Sequence, residues 1–164
     1  GLYMSLCCDM TVCSEDAKIG HAEQRLGFAG SMYVFPILMS LIGQKKAREM
    51  LLTGKLLDGI EAERIGLVNT VVPLDKLDEE VRKLAESMTL LPRDGIAIGK
   101  ACARLAYDSM GLTSAFGQGY LGHTMFTNTR FEDGEYNFLR RRRDVGVKDA
   151  IKERDARYNR IFDK

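Results

Sequence analysis

Hydrophobic and polar residues follow each other differently in the two halves of the chain, with short mixed segments first and long amphipathic segments afterwards. Residues 2–8 are apolar nearly all round, which predicts a short buried helix. Residues 10–13 and 17–19 predict two short strands joined by a polar turn. The clearest predicted strand lies at residues 67–72, which are rich in β-branched side chains and stop at Pro73.

Glycines mark the ends of the predicted helices in the first half of the chain. An apolar segment at residues 32–42 should form a helix that ends at Gly43. Two further helices, at residues 44–53 and 59–65, are each followed by a glycine. Beyond them, apolar residues recur at helical spacing and predict helices at residues 75–91, 92–110, 113–126, 135–143 and 147–162. The second half should therefore be nearly all helix.

Composition indicates one globular domain: 164 residues with 45 % hydrophobic content can bury a core of their own. The 24 basic and 23 acidic residues nearly cancel, so neither nucleic acid nor a membrane surface is expected as a partner. The four cysteines lack metal-ligand spacing and favour reduced thiols in the cytoplasm. No apolar run reaches the length of a membrane span. The chain opens at Gly1 inside predicted core, without an initiator Met, so we expect a fragment.

Glu23 is the strongest candidate for a catalytic acid or base. A short β-type run ends at Gly20, and the carboxylate stands three residues later on an irregular turn. A strand fixes the backbone at such a place, while the loop leaves the side chain free to reach a pocket. In an apolar pocket a carboxylate tends to have a raised pKa, which suits proton transfer near neutral pH. The alternative is a surface glutamate paired with Arg25 or Lys18.

His21 is an auxiliary candidate, because histidine titrates near neutral pH and this one stands two residues before Glu23. The alternative, which the sequence favours, is a strand-end histidine whose ring is satisfied by a backbone carbonyl. Four consecutive arginines at residues 140–143 predict either a phosphate site, a subunit contact or a solvated helix face. The carboxylates that follow them argue against a nucleic-acid patch.

Several motifs occur in a fixed order along the first half of the chain. They are Gly-x-x-x-x-x-x-Cys-Asp at residues 1–9, Ile-Gly-x-x-Glu-x-x-Leu-Gly at 19–27, Leu-Thr-Gly at 52–54, Glu-Ala-x-x-x-Gly-Leu-Val-Asn at 61–69 and Val-Val-Pro at 71–73. In this order and spacing the chain resembles the crotonase (enoyl-CoA hydratase/isomerase) superfamily. Each motif is short, but the combination is specific.

The resemblance implies an α/β fold, a crotonase-like superhelix of ββα turns, of which this chain would be the C-terminal part. Residues 1–73 would belong to the ββα core, and residues 74–164 would form a helical trimerisation and capping region, so that the chain itself is mostly α. The resemblance also implies a homotrimer, often doubled to a hexamer. A separate N-terminal half of the same enzyme would be a further partner.

The resemblance implies chemistry on an acyl-CoA thioester whose enolate is held between two backbone N–H groups. In the family one donor comes from an Ala/Ser-Gly-x-Asp region that this sequence lacks. The other comes from a Gly-Gly-Gly run that opens the first helix, and Gly1 matches the last glycine of that run. Gly1 is therefore an oxyanion-adjacent candidate. A glycine at the head of a helix also leaves N–H groups open to an anion.

Glu23 matches the second catalytic glutamate of the family, whereas Tyr3 stands where the hydratases have the first. A hydratase uses two carboxylates to activate and orient water, but an isomerase can shuttle one proton with a single carboxylate. Tyr3 is an auxiliary candidate as a hydrogen-bond donor, although a phenol with a usual pKa of about 10 is a poor base. Isomerisation, ring-opening hydrolysis or thioester hydrolysis is therefore favoured over hydration, the lyase-type reaction.

We therefore expect an enzyme acting on a cyclic or unsaturated acyl-CoA, with Glu23 as general acid/base. No metal is expected, and coenzyme A should enter only as part of the substrate. In the last helix, Arg154 is nearest to the position that lies close to the CoA phosphates of a neighbouring subunit in the family. The alternative from another class is a non-catalytic assembly module, a trimerisation fragment that needs a separate N-terminal half for activity.

Overall fold

The computed structural model describes residues 1–26, 35–126 and 128–162 of the chain. The strands are β1 (Val12–Ser14) and β2 (Thr70–Val72), and 3-10 turns occur at Ala22–Leu26 and Leu74–Lys76. The helices are α1 (Leu2–Leu6), α2 (Phe35–Thr53), α3 (Gly59–Arg64), α4 (Leu77–Thr89), α5 (Arg93–Ser109), α6 (Leu112–Phe126), α7 (Phe138–Val145) and α8 (Val147–Phe162).

Strands β1 and β2 form a parallel pair in which Val12 lies opposite Thr70. A parallel pair requires a long crossover, and here the crossover carries the turn with Glu23, α2 and α3. Just before the paired strands, the Thr11 amide donates to the side-chain oxygen of Asn69 at 2.8 Å. Pro73, which lacks an amide hydrogen, follows β2 directly.

The structure corrects the predicted strands. Residues 17–19 are not a strand: within the described chain only Ile19 pairs there, in an antiparallel bridge with Leu57. The Ala17 amide donates to the Ser14 carbonyl at 3.1 Å, which turns the backbone away from extended geometry. The strand predicted at residues 10–13 is observed as β1, which ends one residue later, at Ser14. Of the strand predicted at residues 67–72, only the second half forms β2.

The core lies among α1, α2, α3 and the strands. Leu38 and Met50 of α2 are its most deeply buried large aliphatic side chains, with 0 % and 1 % exposure. The predicted buried helix is confirmed as α1, but only one side of it is inside, since Met4 is 77 % exposed. The other buried apolar members are Leu2, Leu6, Phe35, Ala47, Leu57, Ala62, Leu67 and Val68.

Gly43 interrupts α2, as predicted, with a φ of 75° and a ψ of 159°. Side chains rarely tolerate a positive φ of this kind, so glycine is the residue suited to the kink. The start of the predicted helix, at residues 32–34, lies outside the described residues. Gly54 follows the end of α2 and Gly66 follows α3, with φ values of 62° and 79°, which confirms their predicted role as terminators.

The second half is nearly all helix, as predicted. The predicted helix at 75–91 begins as a 3-10 turn and continues as α4, and the one at 135–143 starts later, at Phe138. The side chain of Asn137 caps α7 there by accepting from the Arg140 amide at 3.0 Å. The domain division at residues 73 and 74 stays a prediction. None of the described helices combines the length and apolar character needed to cross a membrane.

The arginine run lies on α7, and most of it is exposed in the single chain. Arg140, Arg142 and Arg143 are exposed on α7. Arg141 instead donates through Nε and Nη2 to the carboxylate of Glu153 on α8, at 2.9 and 2.7 Å. The run therefore joins the last two helices through one side chain.

Candidate functional site

Glu23 lies on the 3-10 turn Ala22–Leu26, directly after the chain leaves its bridge with Leu57. Gly20 allows the close approach that precedes the turn. A Cβ at Gly20 would lie 2.7 Å from Cδ2 of Leu56 and 2.9 Å from the carbonyl oxygen of Lys55. The turn leaves Glu23 half-buried, so its carboxylate is positioned by the fold and still accessible.

Tyr3 joins α1 to this turn. Its hydroxyl donates to Glu23 Oε2 at 3.1 Å and lies 3.3 Å from His21 Nδ1. Gly1 is the N-cap of α1 and is exposed, with no side chain capping the helix. Three residues predicted separately from the sequence therefore form one cluster, next to the helix that Gly1 begins.

His21 is the most buried member of the cluster, with 1 % exposure. Burial lowers the pKa of its imidazole, and the nearby Glu23 carboxylate partly opposes this shift. Within the described residues its Nδ1 faces the Tyr3 hydroxyl rather than the backbone carbonyl that we expected, and Nε2 has no hydrogen-bond partner there. The Phe35 ring packs beside the imidazole, with ring centroids 6.5 Å apart.

Neither Arg25 nor Lys18 forms an ion pair with Glu23 in the described structure. The alternative of a surface glutamate paired with one of these two cations is therefore wrong. Arg25 is instead buried, and its Nε donates to the carbonyl of Gly54 at 2.8 Å. Its guanidinium lies 4.6 Å from the ring centroid of Tyr158. Sequence reasoning missed Arg25 as an anchor of the turn, because its partners are distant along the chain.

The residue after Glu23 is also tied down. Gln24 donates through Nε2 to the carbonyl of Leu51 in α2 at 2.6 Å, and its own carbonyl accepts from the Tyr158 hydroxyl at 3.5 Å. Asp155 of α8 lies 4.0 Å from Arg25 Nη1. The turn is thus held between α2 and α8, which restricts the direction of the Glu23 side chain.

Arg154 lies on α8, where Nε and Nη2 donate to the Asp155 carboxylate at 2.8 and 3.1 Å. It lines a cavity of about 310 Å³ together with Lys18, Arg25 and Lys55. Asp155 supplies the carboxylate of this lining, so cationic side chains predominate. The surroundings of Arg154 suit an anionic group better than a neutral one.

A larger cavity of about 630 Å³ lies between α2 and α6. Its lining is mostly apolar and includes Phe35, Met39, Leu112 and Ala115. Phe35 also packs against the His21 ring, so it is a shared wall of this cavity and the Glu23 cluster. Within the described residues no group of three or more His, Cys, Asp or Glu side chains is arranged to hold a metal.

The architecture is that of a crotonase-type protein, which confirms the predicted fold class. The crystal structure of an enoyl-CoA hydratase/isomerase from Xanthobacter autotrophicus Py2 superposes with a TM-score of 0.80 and 28 % sequence identity. The superposition covers 95 % of this chain and 57 % of that chain.

The family profile described as enoyl-CoA hydratase/isomerase matches residues 1–145, and the chain belongs to this family. The short-chain-enoyl-CoA hydratase of Clostridioides difficile is 42 % identical over 86 residues, 52 % of this chain and 56 % of the relative. The crotonyl-CoA hydratase of Syntrophomonas wolfei is 33 % identical over 103 residues, 63 % of this chain and 40 % of the relative. The predicted superfamily is confirmed, and with it membership in a family of enzymes. The chain spans about half the length of the curated relatives it matches.

Proposed function

We propose that the protein processes acyl-CoA thioesters through an enolate, with Glu23 as the general acid/base. The observation that carries this proposal is the Glu23 carboxylate itself. Glu23 occupies the position of the family's second catalytic glutamate and is half-buried on a fixed turn. Its Oε2 accepts a hydrogen bond from the Tyr3 hydroxyl at 3.1 Å. A positioned carboxylate of this kind is suited to moving a proton at a carbon next to the thioester.

The proton transfer has a simple course with but-3-enoyl-CoA as an example. Glu23 takes the proton from C2, and the electron pair of that bond moves to the thioester oxygen, giving a dienolate. One backbone N–H next to Gly1, at the start of α1, stabilises the oxygen, and the second donor comes from the N-terminal half of the enzyme. Glu23 then returns a proton to C4, and a double bond forms between C2 and C3. No water is consumed, and one carboxylate is sufficient.

Tyr3 favours such single-carboxylate chemistry over hydration. Its hydroxyl is engaged with Glu23 and is a hydrogen-bond donor rather than a base. The relatives described above are named hydratases, but their names do not decide which reaction this chain carries out. For this chain we rank isomerisation and ring-opening or thioester hydrolysis ahead of hydration.

Two cavities suit the two ends of an acyl-CoA. The apolar cavity between α2 and α6, which shares Phe35 with the cluster, suits an unsaturated or cyclic acyl group. The cationic cavity that Arg154 lines suits the CoA phosphates of a thioester whose acyl group lies in a neighbouring subunit. Coenzyme A would enter as part of the substrate, with no other cofactor.

The test is hydrogen exchange into but-3-enoyl-CoA and a cyclohexenoyl-CoA thioester in heavy water, followed by mass spectrometry. Glu23→Gln should lower the exchange rate by about 10²-fold or more, with an unchanged fold. Glu15→Gln is the matched control, because it makes the same change at an exposed glutamate of a turn. An unchanged rate in Glu23→Gln would remove Glu23 from the mechanism.

Heavy-oxygen water separates the reaction types. An isomerase incorporates no oxygen from the solvent, whereas a hydratase and a hydrolase each place one solvent oxygen in the product. Incorporation without hydrolysis would favour hydration and overturn our ranking.

A second candidate function is assembly, with this chain as a trimerisation module that needs an N-terminal half for activity. Helices α4 and α5 are amphipathic and bury no residue within the described chain. Val81, Ile98 and Leu105 are 45 %, 64 % and 66 % exposed on them. Such faces suit the interface of a homotrimer or hexamer.

Sedimentation of the purified chain tests the assembly. Ile98→Glu should shift the mass toward that of the monomer, whereas Arg93→Glu, at the exposed start of the same helix, should not. A trimer that shows no exchange with any acyl-CoA thioester would favour the assembly module over the enzyme.

A further inference from the structure

The cluster around Glu23 contains one buried polar atom that no described residue satisfies. His21 Nε2 is shielded from solvent and has no hydrogen-bond partner in the described part of the chain. The other ring nitrogen, Nδ1, lies 3.3 Å from the Tyr3 hydroxyl. Buried polar atoms normally have hydrogen-bond partners, so an unpaired Nε2 raises the question of which ring nitrogen carries the proton.

The answer follows from what each group can donate. An ionised carboxylate only accepts hydrogen bonds, so the Tyr3 proton must lie on the side of Glu23 Oε2. The Tyr3 oxygen can then only accept toward His21, and Nδ1 of the ring must carry a proton. A neutral imidazole has one N–H, which leaves Nε2 as a bare lone pair. Hydrogen bonds to an ionised acceptor are stronger than those to a neutral one. The Tyr3 hydroxyl therefore donates to the Glu23 carboxylate rather than to the His21 ring.

We propose that His21 is a positioning residue, whose neutral Nδ1–H tautomer directs the Tyr3 proton onto Glu23 Oε2 and leaves Oε1 to exchange the proton with substrate. Within the described residues Oε1 accepts no hydrogen bond, whereas Oε2 is occupied. The ring stays neutral because it is buried, with its pKa lowered. The catalytic part of this inference rests on the proposed function, but the tautomer does not.

Nitrogen NMR of the labelled full chain decides the tautomer without any substrate. The chain has two histidines, so His123→Gln assigns the remaining imidazole signals to His21. Near neutral pH, long-range correlations should show a protonated Nδ1 and an unprotonated Nε2. Tyr3→Phe should weaken this preference, because it removes the acceptor. A protonated Nε2 in the unaltered chain, whether neutral or imidazolium, would overturn the inference.

The positioning role is tested with two substitutions at His21. Asn places an amide N–H near the position of Nδ1, whereas Leu removes the donor. In the exchange assay His21→Leu should lower kcat about tenfold with little change in KM, and His21→Asn should recover most of the loss. Equal kcat values in the two variants would overturn the positioning role. If no thioester exchanges even in the unaltered chain, the proposed function fails, and the NMR result still decides the tautomer.

Discussion

Arg25 Nε and the carbonyl oxygen of Gly54 are joined by a buried hydrogen bond of 2.8 Å, which fixes the turn carrying Glu23 against the end of α2. Gly54 has a φ of 62°, and a Cβ there would lie 3.2 Å from Arg25 Cγ. The close fit brings the guanidinium over the Tyr158 ring. One side chain therefore holds three parts of the chain together.

Replacing Arg25 by Lys should destabilise the protein, because an ammonium group cannot donate to Gly54 and stack on Tyr158 at the same time. We expect the free energy of unfolding in urea to fall by about 1.5–3 kcal/mol, the range for hydrogen bonds of charged groups. Arg140→Lys, at an exposed position, is the control and should change it by about 0.5 kcal/mol or less. Equal effects would contradict a structural role for Arg25.

Acid should weaken the fold through His21. Burial lowers the pKa of His21 below the usual 6.5, so the unfolded chain binds a proton more readily than the folded chain. At a pH well above about 6.5 the ring is neutral in both states, and His21 adds no pH dependence. As the pH falls below that value, the unfolded state gains protons first and the free energy of unfolding decreases.

Urea unfolding at about pH 7.5 and about pH 5.5 measures this effect, on either side of the usual histidine pKa. The decrease should be smaller in His21→Asn than in the unaltered chain. It should persist in His123→Gln, because that variant keeps the buried imidazole. The same decrease in all three proteins would show that His21 is not the group responsible.

Gly59→Ala should be destabilising, because a Cβ at Gly59 would collide with the carbonyl of Ser14. Overpacking against backbone typically costs about 1–3 kcal/mol. Gly99 in α5 is the contrasting position, since nothing lies within 4 Å of a Cβ there. Gly99→Ala should stabilise the helix by about 1 kcal/mol. Chemical denaturation would compare the two variants, and stabilisation by both would mean that α3 does not pack closely on β1.

Cys13 should react more slowly with iodoacetamide than the other cysteines. Burial, and then the carboxylate of Glu63, raise the pKa of its thiol, and the thiolate is the reactive form. The other three thiols are exposed, at Cys7, Cys8 and Cys102. Peptide mass spectrometry after short labelling near neutral pH gives the four rates. Fastest labelling at Cys13 would contradict its surroundings in this structure.

Local features of the fold could be predicted from the sequence. Gly43, Gly54 and Gly66 end or break helices where expected, because a positive φ is a property of a single residue. The strand expected at residues 17–19 was wrong, because strands depend on a partner, and only Ile19 finds one there. The exposed Met4 shows a similar limit: an apolar helix does not reveal which of its sides faces the core.

The candidate site was predicted only in part. The motif pointed to Glu23, and the departure from the family pointed to Tyr3. Their hydrogen bond could not be predicted, since it depends on how α1 packs on a turn twenty residues later. The anchoring of the turn by Arg25 was not anticipated either, because its partner Gly54 lies 29 residues further along. Neighbours brought together by folding leave no local pattern in the sequence.

The bond between Tyr158 and Gln24 also sets an order of events during protein synthesis. The two residues are 134 positions apart, and Tyr158 lies near the end of the last helix. At about 5–20 residues per second, a ribosome needs roughly 7 to 27 s to travel from one to the other. The turn that carries Glu23 is therefore synthesised well before Tyr158, the residue that supports it from α8.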